Sequence, residues 1–229
     1  MSARYEPDAE PRVSHLPPPD RLVIIPQPLW KRTMDVVGSC IVLLVTLPIT
    51  VAAAAAVWFT SGSPVFFTQL RAGRGGRPFR VYKFRSMVRD AEKMRKPLEQ
   101  FNEAGAVVFK MKNDPRVTRV GRFLRRWSID ELPQLFNVLR GDMSLVGPRP
   151  LPLDEMPCGA GLCDVAGHRC RLCVKPGLTC YWQVKGRSLL DVREWIKLDM
   201  AYLEDMSFWT DMKILLLTVR AVLSRKGAY

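Results

Sequence analysis

The feature that most constrains this chain is the apolar run from Val36 to Phe59, VVGSCIVLLVTLPITVAAAAAVWF, with Pro48 near its middle. As a helix, such a run is long enough to cross a bilayer core. Two details argue against a single crossing. Pro48 removes a backbone donor and tends to kink a helix. Basic residues also flank both ends: Lys31 and Arg32 before the run, and Arg71, Arg74, Arg77, Arg80, Lys83 and Arg85 after it. Cytoplasmic flanks carry the Lys/Arg excess, so both ends call for the same side. A helix that enters, bends at Pro48 and returns satisfies both. The expectation is therefore a re-entrant membrane hairpin, with a kinked span as its alternative.

Around this segment the chain divides into three parts. Residues 1–28 contain seven prolines and little apolar periodicity, which reads as a flexible leader. Residues 29–60 form the membrane-embedded helix. Residues 61–229 are long enough for one compact domain. The fold class expected is mixed α/β and mainly helical, with a small β-hairpin and amphipathic interfacial helices. Val65–Leu70 and Phe79–Phe84 read as the hairpin strands around a Gly/Arg-rich loop. Residues 88–103 read as a charged helix interrupted by Pro97, and Val117–Trp127 as a basic helix whose apolar stripe is Val117, Val120, Phe123 and Leu124. Leu178–Val184 has strand character, residues 191–205 look helical, and Ser207–Arg225 is too polar to span. That last segment suits the headgroup layer or the surface of the core equally well.

A net charge of +13 directs the chain toward anionic partners: nucleic acid, acidic lipid or phosphorylated substrates. No aromatic stacking motif or DNA-reading helix stands out, and the apolar run favours membrane and phosphate. The six cysteines lack a preceding signal peptide, so reduced thiols facing a cytosol are expected. Cys170 and Cys173 have metal-ligand spacing, and His168 or Cys163 would complete a zinc site. No second close pair supports it, and ordinary thiols are the simpler account.

The stretch richest in chemistry is SIDELPQLFNVLRGDMSLVGPRP, from Ser128 to Pro150. Ser128 followed by Glu131 matches a capping box, with Pro133 in the first turn and Gly141 placed to end the helix. Asp130 and Glu131 would then sit at a helix N-terminus, which favours ionised carboxylates and nearby phosphate. Capping alone explains this pattern, but its surroundings add to it. Arg119, Arg122, Arg125 and Arg126 precede the carboxylates, and Arg140 and Arg149 follow. Such density suits bidentate capture of phosphate oxygens. Carboxylates beside phosphate commonly work with Mg²⁺, and a carboxylate can itself attack phosphorus.

The ordered motifs YKFRSM, NDPRVTRVGRFLRR, SIDELPQLFNVLRGDMSLVGPRP, VKPGLT and WQVKGR resemble the bacterial sugar transferase family, the monotopic phosphoglycosyltransferases. The resemblance runs from Lys31 to the C-terminus. It implies transfer of a sugar-1-phosphate from a nucleotide-activated sugar, a UDP-sugar, to polyprenyl phosphate. It also implies a re-entrant helix in the inner membrane, a cytoplasmic catalytic domain, an Mg²⁺ cofactor and a covalent aspartyl-phosphosugar. Residue by residue, Asp130 matches the nucleophile, and Glu131 its partner and a ligand of Mg²⁺. Arg125, Arg149 and Arg187 match phosphate-gripping positions, while Lys83 and Arg85 match the Lys-Phe-Arg motif. The chain resembles the compact form of the family, and a homodimer is compatible with it. It departs from the family at Cys180, where glycine is usual. Two other classes stand beside this one: a membrane-tethered basic module that binds anionic polymer without catalysis, and an enzyme using direct, single-step transfer.

Overall fold

The computed structural model describes residues 24–102, 109, 111–153, 171–186, 192–225 and 227. Among them the fold is mainly helical, with two two-stranded sheets. Helix α1 (Leu29–Ser61) runs without interruption through Pro48. At 1.5 Å per residue it is about 50 Å long. It is long and apolar enough to cross a membrane by length and composition.

Burial along α1 is confined to its two ends. Lys31, Asp35 and Ser39 are buried near its start, and Ala53 and Val57 near its finish. Between them Ile41, Leu44, Val45, Leu47, Ile49 and Val51 are exposed. An exposed apolar stretch of this length is the kind of surface that meets a membrane or a partner, whereas the two ends are held by the protein. Asp35 accepts hydrogen bonds from Ser144 Oγ and from the Leu145 amide, both at 2.8 Å. Ala53 and Val57 pack with Phe84 and Leu124. Both ends of the helix thus rest on one body.

The basic residues before the apolar run, read from sequence as a charged flank, are engaged by the protein itself. Lys31 is 3% exposed and ion-paired with the equally buried Asp211. It also donates to the Val146 carbonyl and to Tyr202 Oη, both at 2.9 Å. Arg32 donates to the Val138 and Leu139 carbonyls at 2.7 Å each, filling orphan acceptors at the end of the next helix but two.

Strands β1 (Phe66–Ala72) and β2 (Pro78–Phe84) form the expected antiparallel hairpin, in register from Phe66 opposite Phe84 to Ala72 opposite Pro78. Helix α2 covers only Arg95–Leu98, followed by a 3-10 turn at Glu99–Phe101. The long helix expected over 88–103 is therefore absent among the described residues; Pro97 and turns on either side break it up. Helix α3 (Arg119–Arg126) is capped by Thr118, whose Oγ1 accepts from the Gly121 amide at 2.9 Å. Its stripe is narrower than the periodicity suggests: Leu124 is buried but Phe123 is exposed. Helix α4 (Gln134–Arg140) ends at Gly141 in the left-handed region, φ 90°.

Strand β3 (Ser144–Val146) pairs in parallel with β4 (Gly177–Thr179). The strand expected over 178–184 stops at Thr179, and α5 (Tyr181–Lys185) replaces its second half. There the packing of Tyr181 on Tyr202 and of Trp182 on Trp195 overrides local strand preference. Helices α6 (Val192–Glu204) and α7 (Phe208–Ser224) close the chain, with Ser207 capping α7. The main core gathers Val81 from β2, Leu135 and Val138 from α4, Leu145 and Val146 from β3, Tyr202 from α6 and Ile214 from α7. On α7, Trp209, Leu216, Val219 and Leu223 remain exposed while Ile214 and Asp211 are buried, so one helix serves core and surface together.

Candidate active site

Asp130 and Glu131 lie on a 3-10 turn, Ile129–Glu131, between α3 and α4. The capping box expected from Ser128 does not form. Ser128 is itself in the left-handed region, φ 55°, and its side chain caps nothing. Pro133 occupies the N-cap position of α4 instead. The turn brings the carboxylates under β2 and the Pro148–Pro150 segment, a placement that a plain helix start would not give.

Glu131 is clamped by two cations. Lys83 Nζ, from β2, lies 3.0 Å from Oε1. Arg149 approaches Oε1 more closely and reaches Oε2 at 3.3 Å. Burial by itself would raise the Glu131 pKa, but Arg149 and then Lys83 outweigh it and hold the carboxyl well below the usual range. Arg149 shows the complementary balance: burial opposes its charge and Glu131 more than restores it.

Asp130 has the opposite character. It is 7% exposed, and no described residue donates a hydrogen bond to its carboxyl group. Burial raises its pKa above the ordinary value, opposed by Lys83 and reinforced by the neighbouring Glu131. The expectation that a helix end keeps this group ionised is thus corrected: burial governs it, and cations rather than a helix terminus counter the burial. Arg125 and Arg149 add to that opposition. A buried carboxylate with cations on several sides and no hydrogen-bond donor can offer a lone pair to an electrophile or a metal.

The other phosphate-binding candidates separate. Arg125 belongs to the site: its Nε donates to Ser86 Oγ at 2.9 Å, and burial opposes its charge while Asp130 favours it. Arg85 does not join the cluster. Burial and then the neighbouring Arg89 disfavour its charge, and its Nη1 is buried with no hydrogen-bond partner among the described residues. Arg187 lies outside the described residues, as do Cys158, Cys163, His168 and Cys170. Cys173 and Cys180 are both buried, and burial pushes the Cys180 thiol far up.

Arg71 was read from sequence only as part of the basic flank of the apolar run, not as a site residue. Its Nη1 donates to the Pro150 carbonyl at 2.6 Å, bracing the Pro-Arg-Pro turn, and its charge lowers the Lys83 pKa after burial has done so. Ser86 was missed too, because a lone serine carries no pattern. The β1–β2 register would have pointed to Arg71, since it places this residue opposite Phe79 and near the Lys83 strand.

The donor set suits Mg²⁺. This ion takes one or two carboxylates and completes its octahedron with water and phosphate oxygens. Among the described residues no donor reaches the Asp130 carboxyl group, and Glu131 Oε2 carries only the long contact to Arg149. Among the described residues no group of three or more His, Cys, Asp and Glu converges, so phosphate oxygens would have to supply the remaining ligands.

The sequence matches the profile of bacterial sugar transferases over residues 26–225. It is 44% identical to the galactosyl transferase CpsE of Streptococcus agalactiae over 86% of this chain and 43% of that protein. To the undecaprenyl-phosphate galactose phosphotransferase of Salmonella typhimurium it is 42% identical, over 87% of this chain and 41% of the relative. The chain therefore spans less than half the length of these two. The exopolysaccharide production protein ExoY of Rhizobium meliloti is 37% identical over 87% of this chain and 88% of its own length. The buried Asp-Glu turn, the cations that ring it and the match across almost all the described residues lead to one assignment: the chain belongs to the bacterial sugar transferase family.

Proposed function

We propose that this chain transfers a sugar-1-phosphate from a UDP-sugar to polyprenyl (undecaprenyl) phosphate, releasing UMP and starting a lipid-linked glycan. The observation that carries the reading is Asp130, a buried carboxyl group ringed by Lys83, Arg125 and Arg149 with no described donor of its own. In the first step an Asp130 oxygen attacks the phosphorus that bears the sugar. The bond to the bridging oxygen breaks, and UMP leaves with the electron pair. In the second step an oxygen of polyprenyl phosphate attacks the same phosphorus, releasing the Asp130 carboxylate and polyprenyl-diphospho-sugar. Arg149 and Lys83 keep Glu131 ionised, and with Arg125 they supply positive charge as phosphate oxygens develop negative charge. Asp130 and Glu131 would hold Mg²⁺, which supplies charge neutralisation on the diphosphate when bound.

The exposed apolar centre of α1, flanked by two ends docked on one body, supports a re-entrant placement with the catalytic domain on the cytoplasmic face of the inner membrane. Single cysteines introduced at 25 and 62 should label from the same side in sealed vesicles; labelling from opposite sides would favour a span.

The deciding experiment incubates the full chain with polyprenyl phosphate, Mg²⁺ and a panel of UDP-sugars and scores UMP release. UDP-galactose and UDP-glucose head the panel, because the relatives' names specify galactose and glucose. Radiolabelled phosphosugar should remain on the protein when the lipid is withheld, and should be lost with Asp130→Asn. Turnover without any trapped label would favour direct transfer.

A further inference from the structure

Arg149 is held from behind by residues that do not touch Glu131. At its backbone end, the Arg149 carbonyl accepts a hydrogen bond from Arg171 Nη2 at 3.0 Å. Arg171 is 7% exposed and ion-paired with Asp199 of α6, 2.7 Å from Nε to Oδ2. At its side-chain end, the guanidinium carbon of Arg149 lies 5.8 Å from the centroid of the Trp182 ring. Trp182 in turn stacks on Trp195 of α6, with centroids 4.6 Å apart and planes 16° from parallel. Trp182, Trp195 and Cys180 share one buried cluster.

We propose that Arg171 and Trp182 are positioning residues for Arg149, with Asp199 and Trp195 fixing them in place from α6. The inference rests on the reading of Asp130 and Glu131 as the reacting pair. An arginine side chain carries roughly 2 kcal/mol of rotamer entropy, so its pairing with Glu131 does not by itself fix where the rest of the guanidinium faces. A pinned carbonyl at one end and an aromatic face at the other restrict it. The buried Arg171–Asp199 pair is an expensive way to fill space, because two charges leave water for a gain that apolar residues often match. Its hold on the Arg149 carbonyl gives that cost a purpose: a displacement of about 1 Å at a catalytic group can cost about a hundredfold in rate.

Two measurements on the full chain in detergent test the proposal. Trp182→Met and the paired variant Arg171→Met/Asp199→Leu, which leaves no buried charge uncompensated, should each lower the transfer rate per folded molecule on the order of tenfold. Trp182→Phe, which keeps an aromatic face, should restore most of that rate. Equal loss in the Phe and Met variants overturns the positioning role. Independently of activity, urea unfolding of Trp182→Met, Arg149→Met and the double variant forms a cycle. The ring should support the fold roughly fivefold more when the guanidinium is present than when it is absent. Additive costs overturn the proposal. If Trp182→Met does not fold, Trp182→Phe gives the same cycle at smaller amplitude. Should the wild-type chain release no UMP with any donor, the proposed function falls, while the unfolding cycle still decides whether Trp182 holds Arg149.

Discussion

Asp130 and Glu131 are neighbours in sequence with opposite environments, and the difference predicts opposite responses to neutralisation. Burial raises the Asp130 pKa, so the native state disfavours its ionised form. A folded pKa above the unfolded one contributes stability below about pH 4, lost as pH rises through the folded value. Asp130→Asn, a neutral isostere, should therefore raise the unfolding midpoint at pH 7 by a few degrees, roughly 1 kcal/mol, while abolishing UMP release. A lowered midpoint would show that the cations around Asp130 more than repay its burial. Glu131 runs the other way, since Arg149 and Lys83 overcome its burial and depress its pKa. Its contribution is complete above about pH 4.5 and lost as pH falls toward the depressed folded value. Glu131→Gln should cost roughly 2–3 kcal/mol at pH 7, because two partly exposed cations lose their counter-charge. The acid sensitivity of unfolding should also be weaker in that variant. The sequence already marked this pair as chemical, through its motif and the arginines around it. Which carboxylate is free and which is clamped depends on Lys83 and Arg149, and no local pattern encodes their approach.

At the level of elements, α3 reaches the site through one glycine. A Cβ on Gly121 would lie 1.9 Å from the Ser86 carbonyl oxygen, which is backbone and cannot step aside. The Thr118 amide also bonds that carbonyl, at 3.1 Å, so the start of α3 is seated directly on the chain leaving β2. Arg125, one helical turn further on, then meets Ser86 Oγ. Gly121→Ala should push α3 outward at a cost of about 3 kcal/mol, at the upper end of overpacking penalties. Transfer should fall along with stability, as Arg125 is displaced; activity unchanged beside lost stability would separate α3 from the site. The hairpin was legible from two β-type runs around its Gly/Arg-rich loop, and α3 and α6 from their helical pattern. The turn at Ile129–Glu131 and the switch from β4 to α5 were not. In both places short-range preference is weaker than the packing that surrounds it.

Across the whole molecule, Lys31, Tyr202 and Asp211 tie the start of α1 to α6 and α7 through side chains that are 4% exposed or less. Removing one member of a buried pair leaves the other uncompensated, at a cost of about 3–5 kcal/mol. Lys31→Met should therefore loosen α1 from α6 and α7, detectable as faster amide exchange in α7. The double variant Lys31→Met/Asp211→Leu should recover much of the loss. Failure to recover would mean that the hydrogen bonds to Val146 and Tyr202, rather than the charge pair, hold the junction.

By itself the sequence determined the elements whose signal is local: the long apolar helix, the Gly/Arg hairpin, the Gly141 stop and the motif that carries Asp130 and Glu131. Tertiary structure decided everything that depends on residues far apart in the chain. Lys31 and Asp211 are separated by 180 positions, Lys83 and Glu131 by 48. Charge runs look alike in sequence whether they face solvent, lipid or a buried carboxylate. Burial distinguishes them, since it makes an unpaired charge costly and so selects which cation meets which acid. For that reason the flanking Lys31 and Arg32 turned inward, and Arg71 and Arg171 emerged as supports of the turn that carries Arg149.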